Sequence, residues 1–208
     1  MPDRNEAVSY ACAAIATQGD IIVENARKDH LQAFLQKLEE MGAGYEVGTY
    51  GIRFFYKGKL RAVQVETQPH PGFMTDWQPL FAVLLTQADG KSVIHETVSE
   101  NRFQYADGLS SLGAHIRLFN PDIKNPDKTY NFIYHPSNSV MHAIEIIGTT
   151  PLHGTEFHVP DLRAGATMVL GALVAHGTTK ITNIAQIDRG YEELDLRLRS
   201  MGAQIVRV

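Results

Sequence analysis

The 208-residue sequence is 44% hydrophobic and 20% charged with a formal net charge of −4, which indicates a globular chain with a substantial core and not a disordered one. It contains no basic tract of the kind that lines a nucleic-acid groove, and its longest apolar run, about eight residues, is too short to cross a bilayer. The single cysteine excludes an intrachain disulfide and fits a cytoplasmic protein.

Three segments of the chain, residues 7–47, 75–118 and 161–208, share one layout of helix, glycine, strand, helix, glycine and strand. The six glycines are Gly19 and Gly42, Gly90 and Gly113, and Gly177 and Gly202. Their separations are 42 − 19 = 23, 113 − 90 = 23 and 202 − 177 = 25 residues. Because a fixed spacing repeated three times indicates a repeat architecture, we interpret the chain as a threefold internal repeat.

The first copy opens with an apolar helix that includes Cys12, followed by a predicted strand over 20–24. Asp29 is placed to cap a second helix, in which apolar residues recur at helical spacing. These residues are Leu31, Phe34, Leu35, Leu38 and Met41. Predicted strands follow at 45–47, 52–56 and 62–66. Tyr10, Phe34 and Trp77 are predicted to be core residues.

The second copy predicts strands over 91–95 and 115–118, with further strand-like stretches at 130–135 and 142–147. Residues 120–139 are rich in Asn, Asp, Pro and Lys, and we interpret them as a surface excursion.

In the third copy, Asp161 is predicted to cap an apolar helix that stops before Gly177. A strand over 179–183, a helix over about 190–201 and a strand over 204–208 complete the predicted elements.

The alternation of helices and strands predicts an α/β fold. One copy cannot bury its own helix faces, whereas three copies around a pseudo-threefold axis can. We therefore predict an inverse α/β barrel-like domain of three βαβαββ-type repeats, with helices inside and sheets outside. Residues 1–208 would form one domain, with repeats at about 1–70, 71–158 and 159–208.

Four motifs occur in order at 71–78, 96–103, 161–166 and 187–192, reading PGFMTDWQ, ETVSENRF, DLRAGA and IDRGYE. Together with the opening MPDR, they resemble the C-terminal domain of the UDP-N-acetylglucosamine 1-carboxyvinyltransferase family of enolpyruvyl transferases. The likeness covers nearly the whole chain and is weakest over 120–158. It implies one half of a fold of two similar domains that close on substrates in the cleft.

The resemblance also implies an activity. The family transfers enolpyruvate from phosphoenolpyruvate to the 3-hydroxyl of UDP-N-acetylglucosamine and releases phosphate, as the first committed step towards peptidoglycan. It implies no metal or organic cofactor, and no spacing of the nine histidines matches a zinc site. The partners that it implies are these two substrates and the missing N-terminal domain, with no nucleic acid or membrane.

Three arginines are candidates for binding an anion. Arg102 and Arg189 precede the second helix of their copies, and Arg163 lies in the first turn of a helix. Basic side chains at a helix N-terminus oppose the helix dipole, so three such positions favour a bound anion held by guanidinium and free N–H groups. By resemblance, Arg102 and Arg163 hold the carboxylate of phosphoenolpyruvate and Arg189 holds its phosphate.

Two aspartates are candidates for proton transfer. Asp76 stands at a helix start, where it is either a plain N-cap or, by resemblance, the base or orienter of the attacking sugar hydroxyl. Asp161 is predicted as a cap, and by resemblance it also lies close to the reacting carbons. Asp3 and Arg4 are further candidates for the cleft.

The sugar pocket is expected, by resemblance, along Thr75, Asp76 and the backbone of Val98 and Ser99. Ser99 stands where the family commonly has an aromatic residue, which alters the packing against the sugar. The reactive mobile-loop cysteine of the family belongs to the other domain, so Cys12 is interpreted as a small core residue.

The other domain of the family supplies a lysine and an arginine for phosphoenolpyruvate and most contacts to uridine. The chain alone is therefore predicted to fold but not to turn over. Two alternatives stay open: a non-catalytic module that binds a nucleotide sugar or a partner, and an enzyme like EPSP synthase acting on shikimate 3-phosphate. The run at 188–192 favours the UDP-sugar enzyme. RNA-end-processing enzymes with a similar repeat topology are disfavoured, since we find neither a basic face nor a catalytic histidine motif.

Overall fold

The computed structural model describes residues 2–135 and 140–208. Met1 of the opening motif and residues 136–139 of the predicted excursion lie outside the described residues. The helices are α1 (Arg4–Ala16), α2 (Gln32–Met41), α3 (Gln78–Thr86), α4 (Tyr105–Ser111), α5 (Pro126–Thr129), α6 (Leu162–Val174), α7 (Ala185–Asp188) and α8 (Leu194–Ser200). The strands are β1 (Asp20–Glu24), β2 (Gly44–Val47), β3 (Gly51–Phe55), β4 (Gln64–Glu66), β5 (Gly90–His95), β6 (His115–Phe119), β7 (Ala143–Gly148), β8 (Glu156–His158) and β9 (Lys180–Thr182).

The strands form three separate sheets, ordered β1-β3-β2, β4-β5-β7-β6 and β8-β9. In the first sheet, β3 runs antiparallel to both neighbours, with Ile22 opposite Arg53 and Tyr45 opposite Phe54. In the second, β7 runs antiparallel to β5 and β6, while β4 runs parallel to β5. β8 and β9 are parallel. The division of the chain into repeats at about 1–70, 71–158 and 159–208 stays a prediction.

Three helices form the centre of the fold, since α1, α3 and α6 contact one another in every pairing. Residues 7–16 of α1, all of α3 and residues 164–171 of α6 are buried. A helix that is apolar on all sides must be enclosed by other elements. The α/β class, with helices inside and sheets outside, is therefore confirmed.

A cluster of aromatic rings joins the first and second copies. The Phe34 ring meets the rings of Phe54, Trp77 and Phe81 edge to face, with centroids 6.0–6.2 Å apart. Phe34 and Trp77 are fully buried and Tyr10 nearly so, which confirms all three as core residues. The apolar stripe of α2 is buried as predicted, and Gly42 ends the helix with a left-handed φ of 85°.

The predicted cap at Asp29 is wrong. Residues Lys28–His30 form a 3₁₀ turn, and α2 begins at Gln32 without a side-chain cap. The Asp29 carboxylate instead accepts two hydrogen bonds from the Arg27 guanidinium, at 2.7 and 3.1 Å. A charged partner two residues away competes successfully for the carboxylate that would have capped the helix.

Two predicted strands are also absent from the described residues, at 130–135 and 204–208. Residues 130–135 pack as a loop against the end of β5. Residues 204–208 occupy the position in the third copy that β2 and β6 occupy in the first and second copies. β2 pairs with the central antiparallel strand β3, and β6 pairs with the central antiparallel strand β7. The third sheet has no such central strand among the described residues, so nothing lies between β9 and the C-terminal segment. A strand requires a partner for its backbone groups, which explains the difference.

The second helix of the third copy is shorter than the predicted 190–201 because Glu193 adopts a left-handed φ of 48°. The left-handed residue separates α7 from α8.

Replacing Phe34 with alanine is expected to lower the free energy of unfolding by about 3–5 kcal/mol, because it leaves a cavity where three rings meet. Urea denaturation followed by circular dichroism measures the change. Tyr50, whose side chain is 83% exposed, supplies the control: Tyr50→Ala should change stability by no more than about 0.5 kcal/mol. Equal losses for the two variants would contradict the assigned core.

Candidate active site

The structure brings Asp76, Arg102 and Arg163 into direct contact. The Arg102 guanidinium donates to Asp76 Oδ1 through Nη2 and to Thr75 Oγ1 through Nε, the latter at 3.3 Å. Arg163 Nη2 lies 3.0 Å from Asp76 Oδ2, and its Nε donates to Oδ1 at 3.2 Å. All three charged side chains are about a quarter exposed. One carboxylate is thus held between two guanidinium groups at the protein surface.

Helix packing produces this contact between distant parts of the chain. Asp76 lies in the turn before α3, Arg102 in the loop between β5 and α4, and Arg163 in the first turn of α6. The Trp77 indole N–H donates to Asn5 Oδ1 at 3.1 Å, which ties the Asp76 turn to the first turn of α1. The N-terminal ends of the three central helices therefore meet at one site.

The plain N-cap interpretation of Asp76 is wrong. The N-cap position of α3 is Trp77, and no side chain caps that helix. The Asp76 carboxylate is instead directed to the two arginines. Capping of α3 therefore does not account for the Asp76 carboxylate, whose partners are the two guanidinium groups.

The charge state of Arg163 is set by two opposing effects. Burial disfavours the charged guanidinium, but the hydrogen bonds and negative charge of Asp76 outweigh it and raise the pKa of Arg163 above its usual value. Tyr191 lies beside Arg163 and its hydroxyl is 2.9 Å from Ser9 Oγ. Burial raises the pKa of Tyr191, although the bond to Ser9 and the charge of Arg163 act against it. Tyr191 is therefore a neutral neighbour of a charged pair.

Glu96 organises the floor of the site, and the sequence analysis did not single it out as a site residue. Its side chain is 1% exposed. It accepts hydrogen bonds from five groups: Thr67 Oγ1 at 2.9 Å, Thr75 Oγ1 at 2.8 Å, Gln78 Nε2 at 3.4 Å, Val98 N at 2.8 Å and Ser99 N at 2.9 Å. A buried carboxylate requires such partners to offset its loss of hydration. The available signal was an acidic residue directly after an apolar strand.

The loop that carries Val98 and Ser99 is also held from the opposite side. Asn131 donates its backbone N–H and its side-chain amide to the Thr97 carbonyl, at 2.7 and 3.1 Å. The rings of Tyr130, Phe132, Tyr134 and His142 stack beside it. The segment predicted as a strand at 130–135 therefore supports the loop next to the arginine pair.

Asp161 and Asp3 cap the helices α6 and α1. Asp161 Oδ1 accepts from the backbone N–H groups of Arg163 and Ala164, at 2.8 and 2.9 Å, as predicted. Asp3 Oδ1 accepts from Asn5 and Glu6, at 2.7 and 3.3 Å. Both bonds to Asp161 use the same oxygen, and no bond among the described residues uses Oδ2. Capping therefore leaves one carboxylate oxygen of Asp161 available.

Arg189 is not in contact with the Asp76 cluster. It directly follows α7, is exposed, and donates to Gln186 Oε1 at 3.1 Å. Arg4 begins α1, directly after its cap Asp3. Cys12 is fully buried in α1, which confirms it as a core residue, and burial raises the pKa of its thiol well above the usual value.

Residues 2–135 and 140–208 contain no group of three or more His, Cys, Asp or Glu side chains placed to hold a metal ion. In the same residues, no helix combines the length and apolar character needed to cross a membrane.

A trio of buried helices inside three sheets, with arginines and a carboxylate at the helix N-termini, is the architecture of an enolpyruvyl transferase domain. The enolpyruvyl transferase NikO from Streptomyces tendae superimposes on the whole chain with a TM-score of 0.80 at 28% identity, and the match covers 44% of that protein. EPSP synthase from Acinetobacter baumannii shares the fold over 86% of this chain, with a TM-score of 0.57 at 20% identity.

The sequence comparisons give the family. The model of the EPSP synthase (3-phosphoshikimate 1-carboxyvinyltransferase) family matches residues 1–198, and the chain belongs to that family. Within it, the UDP-N-acetylglucosamine 1-carboxyvinyltransferases of Chlamydia muridarum and Protochlamydia amoebophila are similar to this chain. Each has 46% sequence identity over an alignment that covers 99% of the chain. The corresponding protein of Halothermothrix orenii is 39% identical. The chain spans 43–46% of the length of these three relatives.

Replacing Asp161 with alanine is expected to cost about 1 kcal/mol of stability, because the first turn of α6 loses its cap. Asp161→Asn retains a capping oxygen. Its free energy of unfolding should therefore lie within about 0.5 kcal/mol of that of the unaltered chain, as for surface substitutions that remove no specific interaction. Urea denaturation of both variants measures the difference. If Asn destabilised the chain as much as Ala, the capping account would be incorrect.

Proposed function

We propose that this chain forms one wall of an active site that transfers enolpyruvate from phosphoenolpyruvate to the 3-hydroxyl of UDP-N-acetylglucosamine. Phosphate would leave, and the product would enter peptidoglycan synthesis in the cytoplasm. The other wall would come from the half of the enzyme that the matched relatives have in addition. The observation that carries the proposal is the single Asp76 carboxylate held by Arg102 and Arg163.

The charge balance of this cluster suits an anionic substrate. Two guanidinium groups face one carboxylate, so one positive charge remains at a site that is only about a quarter exposed. Guanidinium groups match carboxylate and phosphate oxygens through two parallel hydrogen bonds. Arg102 and Arg163 would bind the phosphoenolpyruvate carboxylate, sharing their donors with Asp76.

Asp76 would act on the sugar hydroxyl. As the bond from the 3-oxygen to the enolpyruvyl carbon forms, the hydroxyl loses its proton, and a carboxylate within hydrogen-bond reach is suited to accept or orient it. The two carboxylate oxygens of Asp76 are already oriented by hydrogen bonds from Arg102 and Arg163. The unused Oδ2 of Asp161 would face the reacting carbons, where proton transfers also occur.

The neighbouring loop would line the sugar pocket with specific backbone groups. The N–H groups of Val98 and Ser99 already donate to Glu96, at 2.8 and 2.9 Å. Contacts to the sugar would therefore use their carbonyl oxygens and the Ser99 hydroxyl. Thr75 would join this wall, since its hydroxyl links Glu96 to Arg102.

Arg189 would hold the phosphate of phosphoenolpyruvate. Its exposed guanidinium donates a hydrogen bond to Gln186, which is neutral. The positive charge of Arg189 is therefore not neutralised by this partner and can attract an anion. Asp3 and Arg4, at the start of α1, would border the same cleft.

Two other functions remain alternatives to the transferase. A module that only binds a partner or nucleotide sugar does not need two arginines held on a carboxylate next to a capping aspartate. An enzyme acting on shikimate 3-phosphate shares the family, but the relatives with 39–46% identity carry the UDP-sugar name. Calorimetric titration with each acceptor separates the two enzymes: heat with UDP-N-acetylglucosamine supports the proposal, and heat with shikimate 3-phosphate alone overturns it. Titration with phosphoenolpyruvate separates the transferase from a binding module, since a module that binds only a nucleotide sugar gives no heat with it.

Replacing Arg163 with lysine is expected to weaken phosphoenolpyruvate binding by at least about tenfold, since one charge-assisted hydrogen bond contributes about 1.5–3 kcal/mol. Titration calorimetry of the 208-residue chain at low salt measures the affinity. Arg27→Lys, which alters an exposed ion pair elsewhere, is the matched control and should leave the affinity unchanged. The same affinity for Arg163→Lys and the unaltered chain would remove Arg163 from the anion site.

The chain alone is expected to show no steady release of phosphate when both substrates are supplied. Transition-state stabilisation requires groups on both sides of a closed cleft, and this chain offers one side. A coupled assay measures the rate of phosphate release by the purified chain. The Asp76→Asn variant, which lacks the carboxylate charge, gives the background rate. Sustained turnover by the unaltered chain above that background would contradict a one-walled site.

A further inference from the structure

A chain of buried hydrogen bonds leads from Arg163 into the core. The Tyr191 side chain, which follows α7, is 2% exposed, and its hydroxyl lies 2.9 Å from Ser9 Oγ in the middle of α1. The Arg163 guanidinium lies within hydrogen-bonding reach of the same hydroxyl. One phenol oxygen thus links the first turn of α6 to α1.

The direction of each bond follows from the donors and acceptors that are present. Ser9 Oγ lies 2.8 Å from the Asn5 carbonyl, and because a carbonyl only accepts, the Ser9 hydroxyl donates its one proton there. The Tyr191 hydroxyl must therefore donate to Ser9 Oγ. Its oxygen is then left to accept from Arg163, since a guanidinium has donors and no acceptor. The order of donation runs from Arg163 to Tyr191, to Ser9 and to Asn5.

The bonds return to the active site through Asn5. The Asn5 side-chain oxygen accepts from the Trp77 indole N–H at 3.1 Å, and Trp77 directly follows Asp76 in the chain. Asp76 in turn accepts from Arg163 Nε at 3.2 Å. Together with the bonds through Ser9 and Tyr191, these contacts form a closed ring at the N-terminal ends of the three central helices.

Backbone packing fixes the position of Tyr191 in this ring. The preceding residue, Gly190, lies so close to Leu162 that an added Cβ would come 2.6 Å from Leu162 Cδ2. The lack of a side chain at Gly190 therefore allows this segment to pack directly on the first turn of α6. Because Leu162 precedes Arg163, the Tyr191 segment and the turn that carries Arg163 are held against each other.

The two sides of the Arg163 guanidinium differ in their exposure to water. Arg163 and Asp76 are about a quarter exposed, so water can compete for their bonds. Tyr191 and Ser9 are each 2% exposed, so moving either hydroxyl off its partner would leave a buried polar group unsatisfied. A long arginine side chain keeps rotamer freedom at a surface site unless a fixed partner holds it. Tyr191 is such a partner.

We propose that Tyr191 is a positioning residue of the anion site, and that Ser9 acts through it. The ring holds the Arg163 guanidinium in one orientation, with its Nε edge on Asp76, so that its remaining N–H groups are preorganised for the carboxylate of phosphoenolpyruvate. The use of this orientation in binding rests on the proposed function, whereas the hold on Arg163 does not. Neither hydroxyl needs to touch the substrate.

Nuclear magnetic resonance relaxation of the Arg163 Nε–H group tests the hold directly. Its signal is the one missing from the spectrum of Arg163→Lys. The order parameter should be about 0.85 in the unaltered chain, as in a rigid backbone, and about 0.6 or less in Tyr191→Phe, which removes only the hydroxyl. Ser9→Ala should lower it in the same direction. The double variant should lose no more than Tyr191→Phe does, because both changes break one chain of bonds.

Titration calorimetry with phosphoenolpyruvate tests the consequence for binding. The affinity should fall about fivefold in Tyr191→Phe, and in the same direction in Ser9→Ala, since binding must then immobilise a mobile side chain. Tyr10→Phe is the matched control, because it removes another buried hydroxyl near α1, one whose charged neighbours are Arg197 and Glu6. It should change neither the order parameter nor the affinity.

The outcomes distinguish this proposal from the proposed function. An unchanged order parameter in Tyr191→Phe, with the variant folded by circular dichroism, would overturn the positioning role whatever the affinity. An equal effect of Tyr10→Phe would also overturn it, as would a lowered order parameter with unchanged affinity. If the unaltered chain binds no phosphoenolpyruvate while the order parameter still falls in Tyr191→Phe, the proposed function fails and the hold on Arg163 is supported.

Discussion

The fold depends on the mutual burial of three helices. α1, α3 and α6 are too apolar to face water on any side, so each must pack on the other two and under a sheet. This packing brings their N-terminal ends together. Asp76 before α3 and Arg163 in α6 meet across 87 residues of sequence because their helices pack, and not because of any local preference.

The site built on these helix ends separates two kinds of carboxylate. Glu96 is enclosed and satisfied by five donors, so its role is to hold Thr75 and the Val98 loop in place. Asp76 is partly exposed and pairs with two guanidinium groups, which we propose also bind the substrate anion. A rigid buried acceptor thus supports a surface cluster whose charges can be shared, as preorganised electrostatic binding requires.

The three copies are not equally complete. The second has all four strands, the first lacks the strand beside β1, and the third lacks the central strand between β9 and its C-terminal segment, within the described residues. Exposed Met201 and half-buried Val23 mark one of these open edges. The domain therefore has a core large enough to fold, with sheet edges that stay unpaired among the described residues.

The sequence by itself determined the elements whose signals are local. Helical periodicity and a stop glycine located α2, β-branched runs located most strands, and Asp161 was recognised as a cap because its partners are two and three residues away. Tertiary structure alone decided that 204–208 is not a strand, that Asp76 meets Arg102 and Arg163, and that Glu96 is buried beneath Thr75. Each of these outcomes depends on which group pairs with a carboxylate or with the backbone of a strand edge. Most of those partner groups come from distant parts of the chain.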